Sequence, residues 1–157
     1  MGRGTAHGSA AGWATPDVRR GLLLDDPSGR GQRGLVALYE TGLYRASRDY
    51  RVPDMVFVRR EHLSDRGVEG AELVLEIRSP RDETYDKIDF YGRMAVAEMI
   101  VVHPEERRVE LFRAVGGRLV PVQSGPDGVL GSEVLGITLR TVDGKLEITW
   151  DGGSATV

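Results

Sequence analysis

The chain has 157 residues, 40% hydrophobic and 29% charged, a balance that suits one soluble domain with a real core. It has no cysteine, which excludes disulfides, a thiolate metal site and a cysteine nucleophile, and fits the cytoplasm as the expected location. A net charge of −3 argues against coating nucleic acid by bulk electrostatics, yet nineteen of the 21 basic residues are arginine, so a local basic cleft stays open.

Residues 1–33 read as a poorly ordered or shortened N-terminal segment. Met1 to Ala14 is rich in Gly, Ala and Ser, has no periodicity and holds no signal-peptide core. Thr15-Pro16-Asp17 is suited to cap a short helix that must end near Asp25-Asp26-Pro27. Residues 34–150 read as the folded domain. Leu35 to Tyr44 is expected as a strand, with a polar turn through Ser47, Arg48 and Asp49. Pro53 opens the apolar run Asp54-Met55-Val56-Phe57-Val58, a short buried strand. A loop with one helical turn near His62 leads to the strand Glu72 to Arg78. On it Leu73, Leu75 and Ile77 face one way, and Val74 and Glu76 the other.

A helix is expected over Glu83 to Ala95. At about 100° per residue, Phe90, Met94, Tyr91, Ala95 and Ile88 form one apolar arc, and Lys87 projects within it between Met94 and Tyr91. An ammonium aimed at a core is costly unless an anion meets it there. Glu98 to His103 is the next strand, Arg108 to Arg113 and Arg118 to Gln123 form a hairpin, and Val134 to Thr141 and Lys145 to Trp150 follow. Residues 151–157 read as a frayed tail. No stretch is apolar and long enough to cross a bilayer. The order of elements predicts an α/β fold with a mixed sheet.

Asp54 and Glu76 supply the anions that Lys87 needs. Two carboxylates brought together by adjacent strands repel unless a proton or cation neutralises them. A hard ion such as Mg²⁺ does so, held by one or two carboxylates with water and phosphate oxygens. It polarises phosphate and activates water, while a lysine can orient that water or offset growing charge. A structural alternative has Asp54 capping the strand entrance and Glu76 simply pairing with Lys87, or with Arg78 on the same strand face.

Three ordered segments carry a resemblance: Tyr50-Arg51-Val52-Pro53-Asp54, then Leu73-Val74-Leu75-Glu76-Ile77-Arg78-Ser79-Pro80, then Asp82-Glu83-Thr84-Tyr85-Asp86-Lys87 with Phe90-Tyr91. Together they resemble the Uma-two family of restriction-endonuclease-like proteins, within the PD-(D/E)XK nuclease superfamily. The likeness spans roughly Gly34 to Trp150. It implies a restriction-endonuclease-like mixed β-sheet core, with a helix after the Glu76 strand and C-terminal β-hairpins. It also implies a Mg²⁺-dependent endodeoxyribonuclease, with Mn²⁺ able to substitute, acting on DNA and often as a homodimer. Asp54 and Glu76 match the metal-binding carboxylates. Arg78 occupies the usual lysine position, and the resemblance assigns that role to Lys87 on the helix. The family's acidic N-terminal motif has no counterpart here, and His103 stands where relatives carry aspartate. The competing expectation is a catalytically inactive pseudo-nuclease that binds nucleic acid or protein.

Smaller signals remain open at this stage. Glu40 could add a third carboxylate. Ser79 could donate to Glu76 or to a phosphate, although a Ser-Pro pair also simply ends a strand. Tyr91 could position the ammonium, against a plain packing role. Arg59 and Arg60 could touch phosphates or form a solvated strand end. His7, His62 and His103 lack zinc spacing and read as surface or capping residues.

Overall fold

A computed structural model describes residues 18, 21, 22, 33–79, 81 and 83–157. The glycine-rich start, the Thr15-Pro16-Asp17 cap, Pro80 and Asp82 lie outside the described residues. Val18, Gly21 and Leu22 are helical, and Val18 and Leu22 are buried in the main core.

Fourteen strands are described. They are β1 (Val36–Tyr39), β2 (Leu43–Ala46), β3 (Asp49–Arg51), β4 (Met55–Val58), β5 (Leu63–Ser64), β6 (Gly67–Val68) and β7 (Leu73–Ile77). Then come β8 (Glu98–His103), β9 (Arg108–Val115), β10 (Arg118–Pro121), β11 (Leu130–Ser132), β12 (Ile137–Val142), β13 (Lys145–Trp150) and β14 (Gly153–Thr156). A 3₁₀ turn, Thr84–Lys87, runs into the helix α1 (Ile88–Arg93). The central sheet has the order β1-β4-β7-β8-β9-β10 and is mixed: β7 and β8 pair in parallel and the other neighbours antiparallel. The fold class read from the sequence is therefore the one observed.

Composition explains the layering. In β4 and β8 every residue is buried, as expected of strands covered on both faces. One face, with Met55, Phe57, Leu73, Leu75, Ile100, Val102 and Leu111, packs against Leu130, Ile137, Leu139, Leu146 and Ile148 of the antiparallel sheet β11-β12-β13-β14. The other face, with Val56, Val74, Met99, Val101 and Phe112, packs against Phe90 and Tyr91 of α1 and Leu43 and Val68 of the small sheet β3-β2-β6-β5. Alternation along β7 is as the sequence predicts: Leu73 and Leu75 join the first core, with Ile77 packed against it, and Val74 joins the second. Gly92 lets α1 sit tightly on the β9–β10 turn, because a Cβ there would lie 3.2 Å from the Gly117 carbonyl oxygen. Among the described residues no helix is long and apolar enough to cross a membrane.

Several secondary-structure expectations need correction. The helix expected over Glu83 to Ala95 is a 3₁₀ turn, Thr84–Lys87, followed by only six α-helical residues, and it ends before Ala95, which takes φ 58°. The segment Arg60 to Gly70, expected as a loop with one helical turn, also holds β5 and β6. The single strand expected over Leu35 to Tyr44 is two strands in different sheets, because Glu40 takes φ 46° in the left-handed region and turns the chain. The segment expected to fray after Asp151 forms β14, paired with β13 from Glu147↔Thr156 to Trp150↔Gly153. The backbones of Leu146 and Val157 then exchange two 2.9 Å hydrogen bonds.

Candidate active site

The crossover from β7 through the 3₁₀ turn and α1 to β8 brings Glu76, Lys87 and Tyr91 to one place. Glu76 lies on β7 facing the helix side, and its carboxylate is 3% exposed. The Lys87 ammonium, on the last residue of the 3₁₀ turn, donates to both Glu76 oxygens at 3.3 and 3.4 Å. Tyr91, one helical turn on and fully buried, donates its hydroxyl proton to Glu76 Oε1 at 2.6 Å. Lys87 at the end of the 3₁₀ turn and Tyr91 on α1 lie on one side for one reason: both reach the same buried anion.

Asp54 enters from β4. Its strand pairs with β7 up to Met55↔Leu75, so Asp54 stands beside Glu76 and Ile77. The Asp54 carboxylate extends that pairing by accepting a 2.6 Å hydrogen bond from the Ile77 backbone N–H. Its negative charge also reaches Glu76 and helps hold the Glu76 proton.

The balance at Glu76 is decided by burial. Desolvation pushes its pKa up to about 7, against the lowering influence of the Tyr91 hydrogen bond and the Lys87 charge, and Asp54 adds to the rise. Burial and the Glu76 charge together raise the Tyr91 hydroxyl, so it stays a donor. A buried carboxylate with a second carboxylate acting on it is a pair whose repulsion a cation could relieve. Among the described residues no group of three or more His, Cys, Asp or Glu side chains is placed for a metal. Any divalent ion held at this point would have Asp54 and Glu76 as its carboxylate ligands, with water and substrate oxygens completing its shell. Glu40 does not make a third ligand of such a group. It bonds Asp54 through the backbone, Glu40 N to Asp54 O at 3.1 Å.

Arg78, on the strand face of Glu76, meets an aromatic ring. Its guanidinium lies over the Tyr85 ring, 4.7 Å from the centroid. Beside it is a network that the sequence did not reveal. The Tyr85 hydroxyl donates to Glu110 Oε1 at 2.5 Å and lies 3.2 Å from His103 Nε2, which is itself 2.5 Å from the same Glu110 oxygen. Arg108 closes the group, 2.6 Å from Glu106 and 2.9 Å from Glu110. His103 is 3% exposed, so the surface or capping role expected for it is replaced by a buried one. The only advance signal was its place in a strand buried at every position. Tyr85 precedes Lys87 by two residues, so this network fixes the turn that carries the lysine to β8 and β9. Arg59 pairs with Glu72 at 3.1 Å and stays largely exposed, which is the solvated strand end.

A family profile described as Uma2, "Putative restriction endonuclease", matches residues 18–143, most of the chain. The chain belongs to the Uma2 family. Among solved structures, this Uma2 protein is similar to a putative nuclease of DUF820 from Anabaena variabilis. The two are 16% identical, with a TM-score of 0.53 over 82% of this chain and 73% of that one. At that identity the likeness speaks for the fold. A comparison with curated proteins finds no match. The resemblance read from the ordered motifs is thereby confirmed, and it makes a nuclease the reading of first resort for this Uma2 site.

Proposed function

We propose that this Uma2 protein is a metal-dependent endonuclease that hydrolyses DNA phosphodiester bonds. The observation that carries the reading is the buried Glu76 carboxylate, held by Lys87 and Tyr91 and raised toward neutrality by burial and by Asp54. Asp54 and Glu76 are the residues that would hold Mg²⁺, or Mn²⁺ in its place. A bound divalent ion supplies charge to the phosphate oxygens and lowers the pKa of water.

The chain's own groups do the rest. Lys87, with its side chain 25% exposed, is within reach of solvent and can orient a water or offset charge growing on the phosphorane oxygens. Tyr91 holds Glu76 in one rotamer, and the Asp54 carboxylate is fixed by the Ile77 N–H. Fixed donors and acceptors need little rearrangement as charge develops. Incubating supercoiled plasmid with the protein and Mg²⁺ tests this. Nicking that disappears in Glu76→Gln and in Lys87→Met is expected, and equal nicking by all three proteins would refute the assignment.

One observation favours a second reading, the non-catalytic binding module. Lys87 and Tyr91 already engage the Glu76 oxygens, and such a closed cluster is stable without any ion. Under that reading DNA binding persists with no cleavage at any metal concentration.

A further inference from the structure

The hairpin of β2 and β3 presents a face that the site does not use. Tyr44 and Tyr50 are cross-strand partners there, and their rings stack with centroids 4.7 Å apart at an interplanar angle of 23°. Side chains alternate along a strand. Leu43 and its register partner Val68 are buried in the core beneath α1, so Tyr44, the next residue along, points the other way. Two glycines let its ring lie against the sheet. A Cβ at Gly42 would come within 2.6 Å of that ring, and one at Gly67 within 3.0 Å. The Arg66 guanidinium lies over the same ring, 4.8 Å from its centroid, and Tyr50 is 43% exposed. From Tyr44 to Arg51 the chain carries three arginines and one aspartate, in a protein of net charge −3.

We propose that this outer face is a stacking platform for single-stranded DNA, with a base on Tyr50 and phosphates on the arginines of the hairpin. The proposal rests on the nuclease reading for its partner and deepens it by naming the form of DNA that is held. An aromatic pair accepts any base, because every base has a π-face, and arginine beside it supplies the charge that a strand needs. Arg48, at the exposed tip of the hairpin, has no ion-pair partner among the described residues. Arg45 and Arg51 share one acid, Asp49, at 3.3 and 3.7 Å, so the hairpin keeps an excess of positive charge. Duplex DNA fits this face less well, since its bases are stacked on one another and offer only their edges. The platform also lies close to the groups proposed for catalysis. Arg51 rests on Phe90 of α1, 4.7 Å from the ring centroid, and its charge reaches the Tyr91 hydroxyl. Asp54 follows Tyr50 by four residues, so their Cα atoms are at most about 14 Å apart. A strand held at Tyr50 is therefore near enough to continue to the proposed metal ligands.

The test uses the full chain in metal-free buffer, so that cleavage does not intervene, and a fluorescein-labelled oligothymidylate followed by anisotropy. Tyr50→Ala should weaken binding by about 5- to 150-fold, the range for losing one base stack, and Tyr50→Phe should keep it. Arg48→Gln should lower the steepness of log K against log[salt] by about 0.7, one phosphate on a single strand. Melting curves of each variant confirm that it is folded. On irradiation, an oligonucleotide carrying iodouracil should crosslink to Tyr50 or Tyr44, located by mass spectrometry. A tyrosine pair that only stabilises the hairpin would give no such crosslink. Wild-type binding that is unchanged in Tyr50→Ala and Arg48→Gln, with no crosslink to either ring, overturns the platform and leaves the nuclease reading intact. A dimer in size exclusion that Tyr50→Ala dissolves also overturns it, since the face then belongs to a second copy of the chain. Failure of the wild type to bind the oligonucleotide at low salt overturns the platform alone if plasmid is still nicked with Mg²⁺. If nicking is absent too, the nuclease reading falls with it.

Discussion

The Tyr91 hydroxyl donates a 2.6 Å hydrogen bond to Oε1 of Glu76, and both residues are buried. This bond ties the helix to the strand it covers and ties a structural core to a charged site. It also works against the burial that drives Glu76 toward protonation.

Tyr91→Phe should therefore separate the two roles. The ring still fills the core, but a buried carboxylate loses its shortest donor, at a cost of about 1–3 kcal/mol. Since the bond favours the ionised form, Glu76 should titrate above about 7 in the variant. Carbon-detected NMR of the Glu76 carboxyl reads this directly, and an unshifted midpoint would show that the hydroxyl does not control the charge.

Glu76 makes stability depend on pH in a stated direction. Its folded pKa of about 7 lies above the ordinary 4.5, so the folded state binds the proton more tightly. The contribution is fully present below pH 4.5 and is lost as pH rises through 7, reaching about 3 kcal/mol. Glu76→Gln should remove that loss. In metal-free buffer its melting temperature should gain on the wild type as pH goes from 5 to 8, and a constant difference would contradict the reading.

Lys87→Met should leave a folded protein whose cleavage rate falls by about 10²–10³-fold, the usual cost of removing one donor from a developing charge. Lys87→Arg should restore little of it, since a planar fork does not replace a compact ammonium that reaches both Glu76 oxygens. Single-turnover rates on plasmid DNA measure both. A lysine with only a structural role would lower stability and leave the rate of the folded fraction unchanged.

Away from the cleft, Glu98 should be the most sensitive acidic residue for folding. It is 1% exposed and accepts hydrogen bonds from Arg113 at 3.1 and 2.8 Å, Ser132 at 2.6 Å and the backbones of Glu133 and Val134 at 3.0 Å. It thereby joins the central sheet to the C-terminal one. Glu98→Ala leaves the Ser132 hydroxyl and two backbone N–H groups without their acceptor, while Arg113 keeps the Gly131 carbonyl at 2.6 Å and Glu133 at 3.6 Å, and urea unfolding should show a loss of about 1–3 kcal/mol.

Much of this site is legible in the sequence because its elements are local. A buried strand carrying Glu76, a helical segment whose inner side carries Lys87 and Tyr91, and Asp54 at a strand entrance follow from period and position, although Lys87 stands on a 3₁₀ turn and the α-helix is only six residues long. What the sequence did not reveal depends on tertiary geometry. Arg78 and Glu76 share a strand face, and the stacking of the Arg78 guanidinium on the Tyr85 ring has no signature in the sequence. Tyr91 reads as a packing residue until its hydroxyl is seen to meet an anion. The break at Glu40 is set by a single left-handed residue that is not a glycine. Strand β14 is built from Gly, Ser, Ala and Thr, and it exists only because β13 offers an edge.

The central claim is that Asp54 and Glu76 together hold one divalent ion, and calorimetric titration with Mn²⁺ or Mg²⁺ tests it most directly. Asp54→Asn keeps an oxygen that can accept from the Ile77 N–H but removes the charge. The wild type should bind one ion at up to millimolar concentration, and Asp54→Asn should show no binding. Absence of binding by the wild type at millimolar metal, or equal binding by both proteins, would contradict it.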